Sequence, residues 1–201
     1  MPIKNIVFDV GNVLVRWDRE FIVQEAFPEL DPFTYATAIF RHPTWLDVNK
    51  GILSDAQAIE EYHQRLGLDR KRLQNMMEIA KTSLIPIEGS FRLLKQLHEA
   101  NYPLYALTDN THTFMKYLRK TYDFWELFSG VVVSADVGYI KPSVEIYEYL
   151  LTHYHLKPSS TVFIDDVSSN IMMAKTMGMA GIVFENTQQC ILDLRQLNID
   201  C

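Results

Sequence analysis

Cysteine is scarce in this chain, since only Cys190 and Cys201 occur among its 201 residues. Two cysteines are too few for a disulfide framework, so the composition fits a reducing compartment. Long apolar runs are also missing, and no stretch reaches the ~20 residues that a helix needs to cross a bilayer. The opening residues, MPIKNIVFDV, contain no apolar core followed by a small-residue cleavage site. We therefore expect a cytoplasmic protein with neither a signal peptide nor a membrane anchor.

An excess of positive charge is absent as well. The formal net charge is -6 and the isoelectric point lies near 5.5, so we expect neither nucleic acid nor an anionic membrane as a partner. Hydrophobic residues make up 48% and charged residues 22% of the chain, as in ordinary globular proteins. The length allows one domain that carries a sizeable insertion.

Five short apolar runs predict the strands of one buried sheet. They cover residues 3–9, 103–107, 130–133, 160–164 and 181–184. Helical patterns lie between most of them, at residues 91–99, 113–122, 144–154 and 170–177. Alternation of strand and helix predicts an α/β fold with a doubly wound parallel sheet. Ligands of such sheets bind beyond the carboxyl ends of the strands.

The segment after the first strand breaks this alternation. Its patterns predict helices at residues 21–27, 32–41, 54–66 and 70–84, with Ser54 as an N-cap and Gly67 as a stop. We therefore expect a catalytic core of residues 1–16 and 87–201 and an inserted all-helical cap of residues 17–86. An insertion at this point would hang over the strand ends and could act as a lid.

Carboxylates stand at the ends of two predicted strands. Asp9 closes the first strand before the turn residues Gly11 and Asn12, and Asp165-Asp166 close the fourth. Adjacent carboxylates in a partly buried crevice repel each other unless a cation or a proton relieves them. Mg2+ prefers such oxygen ligands together with water and phosphate. The alternative interpretations are a turn-forming Asp9 and a solvated loop or helix cap at Asp165-Asp166.

Two further sites place polar groups along the same edge. Lys141 precedes a proline and a predicted helix, and there it could neutralise a phosphate or the nucleophile. The alternative interpretation is a solvated surface lysine. Thr108 ends another strand and is followed by Asp109 and Asn110 just before a helix, a position that suits either an anion or an ordinary N-cap. The chain thus has a carboxylate, a hydroxyl, a lysine and a carboxylate pair at successive strand ends or helix starts. Unrelated polar residues would not readily occur in this order.

With these motifs, the sequence resembles the haloacid dehalogenase superfamily of hydrolases. The matching segments are FDVGNVL at residues 8–14, LTDN at 107–110, KPS at 141–143, and FIDD at 163–166 followed by Asn170. The predicted helical cap also resembles the small cap that this family carries after its first strand. The resemblance therefore covers nearly the whole chain.

The resemblance implies a role for each residue of the catalytic and phosphate-binding motifs. Asp9 would be the nucleophile and would form an aspartyl-phosphate that water hydrolyses. Thr108, Asp109 and Asn110 would bind the substrate phosphate with nearby backbone N–H groups. Lys141 would offset the negative charge between Asp9 and the phosphoryl group.

The resemblance also implies a metal site. Asp9, Asp165, Asp166 and the backbone carbonyl of Gly11 would hold Mg2+. Phosphoryl transfer depends mainly on positioning and on charge neutralisation, so these groups suit it. The implied activity is that of a Mg2+-dependent phosphohydrolase on a small-molecule phosphate ester, in a monomer or homodimer.

Gly11 departs from the usual phosphatase pattern of this superfamily, which has a second Asp at that position as the general acid and base. General acid catalysis is typically worth about 10²–10⁴-fold. A cap residue or a water molecule could replace the acid, or the substrate could have a good leaving group. The Gly-Asn variant resembles a bacterial subgroup that includes α-glucose-1-phosphatase. A sugar 1-phosphate, whose anomeric hydroxyl is comparatively acidic, is therefore a candidate substrate.

Other functions remain open at this point. A metal-independent 2-haloacid dehalogenase would also use Asp9, but would leave Asp165-Asp166 without a purpose. A catalytically impaired phosphate- or partner-binding module would explain Gly11, but not the retention of Lys141. A mutase that moves phosphate between positions of one sugar would need the acid that Gly11 lacks.

Six polar or aromatic residues of the cap region could face the site: Arg16, Trp17, Asp18, His42, Trp45 and Asn49. Aromatic residues at helical spacing usually pack in a core. We therefore expect both tryptophans in the core and the other four residues on the surface.

Overall fold

A five-stranded, entirely parallel sheet forms the centre of the computed structural model, which describes residues 2–200. The strands are β1 (Asn5–Phe8), β2 (Leu104–Thr108), β3 (Gly130–Val133), β4 (Thr161–Asp165) and β5 (Ala180–Val183). Their order is β3-β2-β1-β4-β5, and every neighbouring pair is parallel. All five strands lie within two residues of the predicted runs, and the doubly wound α/β fold is confirmed. Cys201 and Met1 lie outside the described residues.

Eleven α-helices occur in residues 2–200. They are α1 (Arg19–Ala26), α2 (Pro32–Phe40), α3 (Pro43–Asn49), α4 (Asp55–Leu66), α5 (Arg70–Thr82), α6 (Ser90–Glu99), α7 (His112–Thr121), α8 (Ser134–Val137), α9 (Val144–His153), α10 (Ser168–Thr176) and α11 (Thr187–Gln196). No helix in this part of the chain is long and apolar enough to cross a membrane.

Alternation of side chains along the strands divides the core into two layers. Val7, Leu107 and Phe163 face one side of the sheet, where they pack with α9 and α10. Ile6 and Phe8 face the other side, where they pack with α6, α7 and α11. The sheet is thus buried on both faces, as its near-continuous apolar strands predict.

The strand order reverses in the middle of the sheet. The chain leaves β1 toward β2 and β3 on one side, and β4 and β5 complete the other side. A crevice forms beyond the carboxyl ends of β1 and β4, which is where open α/β sheets bind ligands. Asp9 follows β1 directly and Asp165 is the last residue of β4, so both lie at this crevice.

Helices α1 to α5, which we call the inserted helices, occupy the chain between β1 and α6. Two backbone hydrogen bonds join the outgoing and returning segments: Arg16 N–H donates to the Ile85 oxygen and Ile87 N–H to the Leu14 oxygen, both at 2.8 Å. These crossings lie beside the predicted boundaries at residues 17 and 86. The division into two domains remains a prediction.

The cap signals of α4 are as predicted, whereas two helices were missed. Ser54 accepts a hydrogen bond from Gln57 N–H, and Gly67 ends α4 with a left-handed φ of 68°. Helices α3 and α8 were not predicted, because each is short and closely follows its neighbour in the chain. No bounds were predicted for α11. In α3 the signal was His42, whose side chain accepts from Thr44 N–H, before a proline at the first turn.

Candidate active site

Backbone pairing and a tight turn fix Asp9 at the carboxyl end of β1. Its N–H donates to the Ile164 oxygen of β4 at 2.8 Å, and the residue is only 8% exposed. The following turn brings Asn12 N–H to the Val15 oxygen at 2.7 Å, with Asn12 at a φ of 54°. Asparagine tolerates this left-handed conformation better than most residues. The chain is thereby directed out of the sheet immediately beyond the carboxylate.

The buried ammonium group of Lys141 contacts the carboxyl ends of three strands. Its Nζ lies 2.8 Å from Asp9 Oδ1 and 2.7 Å from Asp165 Oδ2, and it donates to the Leu107 oxygen at 3.1 Å. An ammonium group has three hydrogens, and each meets an acceptor here. The residue is 6% exposed. The alternative of a solvated surface lysine is therefore wrong.

The charges of this cluster shift each other's titration. Burial alone would lower the pKa of Lys141, but the charges of Asp9, Asp165 and Asp109 outweigh it and raise that pKa above its ordinary value. Burial and the nearby Asp165 and Asp166 raise the pKa of Asp9 to about 8, although Lys141 opposes them. Lys141 is therefore charged at neutral pH, and an additional cation would favour the ionised form of Asp9.

The two adjacent carboxylates differ in their surroundings. Asp165 is fully buried, and its oxygens accept from Val167 N–H at 2.8 Å and from Asn170 Nδ2 at 3.0 Å, besides the bond to Lys141. Asp166 is only partly buried and lines the cavity. It accepts a side-chain hydrogen bond from Asn12 Nδ2 at 3.1 Å. Asp165 thus holds Lys141, while Asp166 presents oxygen to the cavity.

The donor set fits a hard divalent cation. Oxygens of Asp9, Asp165 and Asp166 all lie within 4.8 Å of one another. Burial raises the pKa of Asp166, as expected where a carboxylate lacks a compensating charge. Mg2+ takes one or two carboxylates and keeps several waters, so Asp9 and Asp166 together with the cavity space suit it. Gly11, the fourth expected ligand, also lines the cavity.

The residues after β2 form the next wall. Thr108 is buried at 1% exposed, whereas Asp109 and Asn110 line the cavity. Both oxygens of Asp109 accept the backbone N–H of Lys141, at 3.0 and 3.2 Å, and burial raises the pKa of Asp109 to about 6. Asp109 therefore positions the loop that carries Lys141. The expected contacts of Thr108, Asp109 and Asn110 with substrate remain predictions.

A cavity of about 330 Å³ lies between these carboxylates and the inserted helices. Its lining also includes Val15, Trp17, Arg19, Phe40, Trp45, Leu46, Asn49, Leu84, Phe114 and Ile140. Trp17 and Trp45 pack as expected, but they also face this cavity. Asn49 was expected on the surface, which is wrong: it is 6% exposed and its Nδ2 donates to the Trp45 oxygen at 2.8 Å. Arg16 and Asp18 are exposed, as expected.

Sequence reasoning missed four residues that organise the site. Asn12 connects Asp166 to the first turn, Asn170 holds Asp165, Arg19 lines the cavity, and Ser134 contacts both Asn49 and Asn110. Asn12 and Asn170 lay inside the matching motifs and could have been assigned from their positions. Nothing in the sequence pattern distinguishes Arg19 or Ser134, because their partners are distant in the chain.

Comparison with known proteins identifies the family. The sequence model of the haloacid dehalogenase-like hydrolase family matches residues 3–178. A sesquiterpene phosphatase of Aspergillus oryzae is 26% identical over 194 residues, which are 96% of each chain. A D-ribitol-5-phosphate phosphatase of Bacteroides thetaiotaomicron is 30% identical over 203 residues, 92% of this chain and 93% of the relative.

A solved structure shows the same fold. It is a family enzyme from Bacteroides thetaiotaomicron in complex with magnesium and inorganic phosphate, with a TM-score of 0.76 and 24% identity over 92% of this chain and 96% of that one. The match of the family model to most of the chain, together with these relatives, decides the family. The chain belongs to the haloacid dehalogenase-like hydrolases.

Proposed function

We propose that this protein is a Mg2+-dependent phosphohydrolase that acts through an aspartyl-phosphate on Asp9. One observation carries the proposal: Asp9 lies 2.8 Å from the buried Lys141 ammonium group and within 4.8 Å of the oxygens of Asp165 and Asp166. The crevice thus combines a nucleophile, a fixed cation and a divalent-cation site. These are the elements that transfer of a phosphoryl group requires.

The proposed reaction has two displacements. An oxygen of Asp9 attacks phosphorus, the bond from phosphorus to the ester oxygen breaks, and the alcohol leaves after taking a proton from water. A water molecule then attacks the phosphorus of the aspartyl-phosphate, loses a proton to solvent, and inorganic phosphate leaves as the Asp9 carboxylate is restored. Lys141 stays charged throughout because its pKa is raised.

Asp9, Asp166 and the carbonyl of Gly11 are the proposed Mg2+ ligands. When bound, the ion would neutralise phosphate charge and allow an anionic carboxylate to approach phosphorus. Asp165, which the sequence also predicted as a ligand, already accepts hydrogen bonds on both oxygens. We assign it to orienting Lys141.

Two kinds of relative support phosphate chemistry. The Aspergillus and Bacteroides proteins named above are phosphatases, and the solved Bacteroides enzyme is bound to magnesium and phosphate. The dehalogenase alternative is disfavoured by Asp166, because a haloacid carries no phosphate charge for a divalent cation to neutralise. The location in the cell and the oligomeric state remain predictions.

Release of inorganic phosphate from a panel of esters tests the proposal. We expect hydrolysis with Mg2+, none with EDTA, and a loss of at least about 10³-fold in Asp9→Asn. Asp123→Asn, an exposed aspartate outside the cavity, is the matched control and should retain full activity. Release of halide from a 2-haloacid in EDTA would favour the dehalogenase, and Mg2+ binding without turnover of any ester would favour a binding module.

A further inference from the structure

We infer that the alcohol esterified to the phosphate is aromatic, or similarly planar and apolar, and that the inserted helices bind it. The inference rests on the proposed function and names its substrate class. Three features support it: the aromatic and aliphatic wall of the cavity, the hydrogen bonds already made by the polar residues of the cavity, and Gly11.

Four aromatic rings form one continuous part of that wall. Trp17 and Trp45 are nearly parallel, with centroids 5.9 Å apart and an interplanar angle of 8°. Phe40 packs edge-on against both, at 5.3 and 5.1 Å, and Phe114 does the same at 6.0 and 5.8 Å. All four line the cavity. Mutual packing of this kind holds the rings in place, so the surface is formed before a ligand arrives.

The rings come from distant segments of the chain. Trp17 precedes α1, Phe40 ends α2, and Trp45 lies in α3, whereas Phe114 belongs to α7 beside the sheet. Aliphatic side chains complete the surface: Val15, Leu46, Leu84, Ile140 and Val167. Carboxylates and Lys141 line the same cavity, so the phosphate and an apolar body would share it.

Most polar side chains that line the cavity are engaged within the protein. The Asn12 side chain donates to Asp166 and accepts from Trp17 N–H. Asn49 Nδ2 donates to Trp45, Asn110 Oδ1 accepts from Thr111 N–H, and Asn170 Nδ2 donates to Asp165. A sugar would bring several hydroxyl groups, each of which loses water on binding and needs a new partner. The four asparagines are therefore less available to such hydroxyl groups.

Arg19 also lines the cavity. Its guanidinium group would bind the phosphate rather than an apolar body. The size of the cavity, about 330 Å³, lies at the lower end of small-molecule sites and suits a phosphate with one or two fused rings.

Gly11 fits the same class of substrate. A phenolic hydroxyl has a pKa of about 10, as in tyrosine, and so leaves as its anion far more readily than an alkyl alcohol. An aryl ester therefore needs less protonation by a general acid, which position 11 cannot supply. Both the apolar wall and the missing acid thus favour an aromatic alcohol over a sugar.

Four esters separate binding of the ring from leaving-group acidity: 2-naphthyl phosphate, 2-naphthylmethyl phosphate, glycerol 1-phosphate and glucose 1-phosphate. The second has the ring but leaves as an alkyl alcohol. We expect kcat/KM for 2-naphthylmethyl phosphate to exceed that for glycerol 1-phosphate by about 10-fold or more, and for 2-naphthyl phosphate to be higher still.

Trp45→Ala tests the wall itself. It should lower kcat/KM for both naphthyl esters by about 10-fold or more relative to kcat/KM for glycerol 1-phosphate. Trp45→Phe, which keeps a ring, should recover most of the loss. Tyr149→Ala, an exposed aromatic residue of α9 outside the cavity, should change neither activity.

The outcomes distinguish the two proposals. Glucose 1-phosphate as the best substrate, or an equal loss on all esters in Trp45→Ala, would overturn the aromatic assignment while leaving the phosphohydrolase intact. Failure of the wild-type protein to hydrolyse any ester with Mg2+ would overturn the proposed function, and the substrate class with it.

Discussion

Ser134 Oγ donates a hydrogen bond to the backbone oxygen of Asn49 at 2.6 Å. Asn49 ends α3 of the inserted helices, and Ser134 begins α8 after β3. The same hydroxyl accepts the N–H of Asn110 at 2.9 Å, and Ser134 is fully buried. One side chain therefore connects the inserted helices with the loop that follows β2 at the predicted phosphate site.

Ser134→Ala should weaken that connection. It leaves the Asn49 oxygen and the Asn110 N–H without this partner, so we expect the free energy of unfolding to fall by about 1–3 kcal/mol. We expect KM to rise more than kcat falls, because closure over the substrate is impaired and the carboxylates are untouched. Urea denaturation and steady-state kinetics measure both. Ser129→Ala, at an exposed position, should match the wild type. An unchanged KM in Ser134→Ala would show that the connection between the inserted helices and the loop after β2 does not affect substrate binding.

Gly51→Ala should push the end of α3 away from α8 by steric contact. An added Cβ would clash with the Ala135 backbone oxygen and lie 3.0 Å from His112 Nε2, and Gly51 has a φ of 70°. Gly67→Ala is the matched control, since its φ is 68° with nothing within 4 Å. Both variants should lose about 1–2 kcal/mol to backbone strain. Only Gly51→Ala should also raise KM, and equal kinetics in the two variants would contradict this expectation.

Gly11→Asp should supply the missing general acid. An added Cβ meets only Trp17 Cβ within 4 Å, at 3.8 Å, so the first side-chain atom has room. We expect kcat for alkyl phosphates to rise by at least about 10-fold and kcat for aryl phosphates to change little. Gly11→Asn, of the same shape but without a proton to give, should not show the gain. An equal gain in both variants would mean that the effect is steric.

Mg2+ affinity should increase with pH between about 6 and 8. Burial and the neighbouring carboxylates raise the pKa of Asp9 to about 8 in the metal-free protein, so Asp9 is mainly protonated at pH 6. The ion binds the deprotonated form, and binding therefore releases a proton and tightens by up to about tenfold per pH unit until the carboxylate is ionised.

Isothermal titration calorimetry at pH 6, 7 and 8, in buffers of different ionisation enthalpy, measures both the affinity and the released proton. In Asp9→Asn the pH dependence should be smaller, because one titrating ligand is gone. A wild-type affinity that does not change over this range would show that Asp9 is already ionised at pH 6.

The sheet was predictable because burial on both faces leaves a strong local signal. Each strand reads as an apolar run that ends in polar residues, and α4 carries its own start and stop at Ser54 and Gly67. Helix α3 was missed because it follows α2 after two residues, which periodicity cannot resolve. Among site residues, Asp9, Lys141 and the Asp165-Asp166 pair could be predicted because each follows a recognisable strand.

By itself, the sequence determined the parallel sheet, the helical insertion and the residue types at the strand ends, because these depend on local periodicity and on the polarity of short segments. Only the tertiary structure decided that Asp165 holds Lys141 while Asp166 faces the cavity, that Ser134 reaches Asn49, and that four rings from distant segments form one wall. Those relationships join residues far apart in the chain. They arise from the way in which the inserted helices pack over the sheet, and local sequence carries no record of that packing.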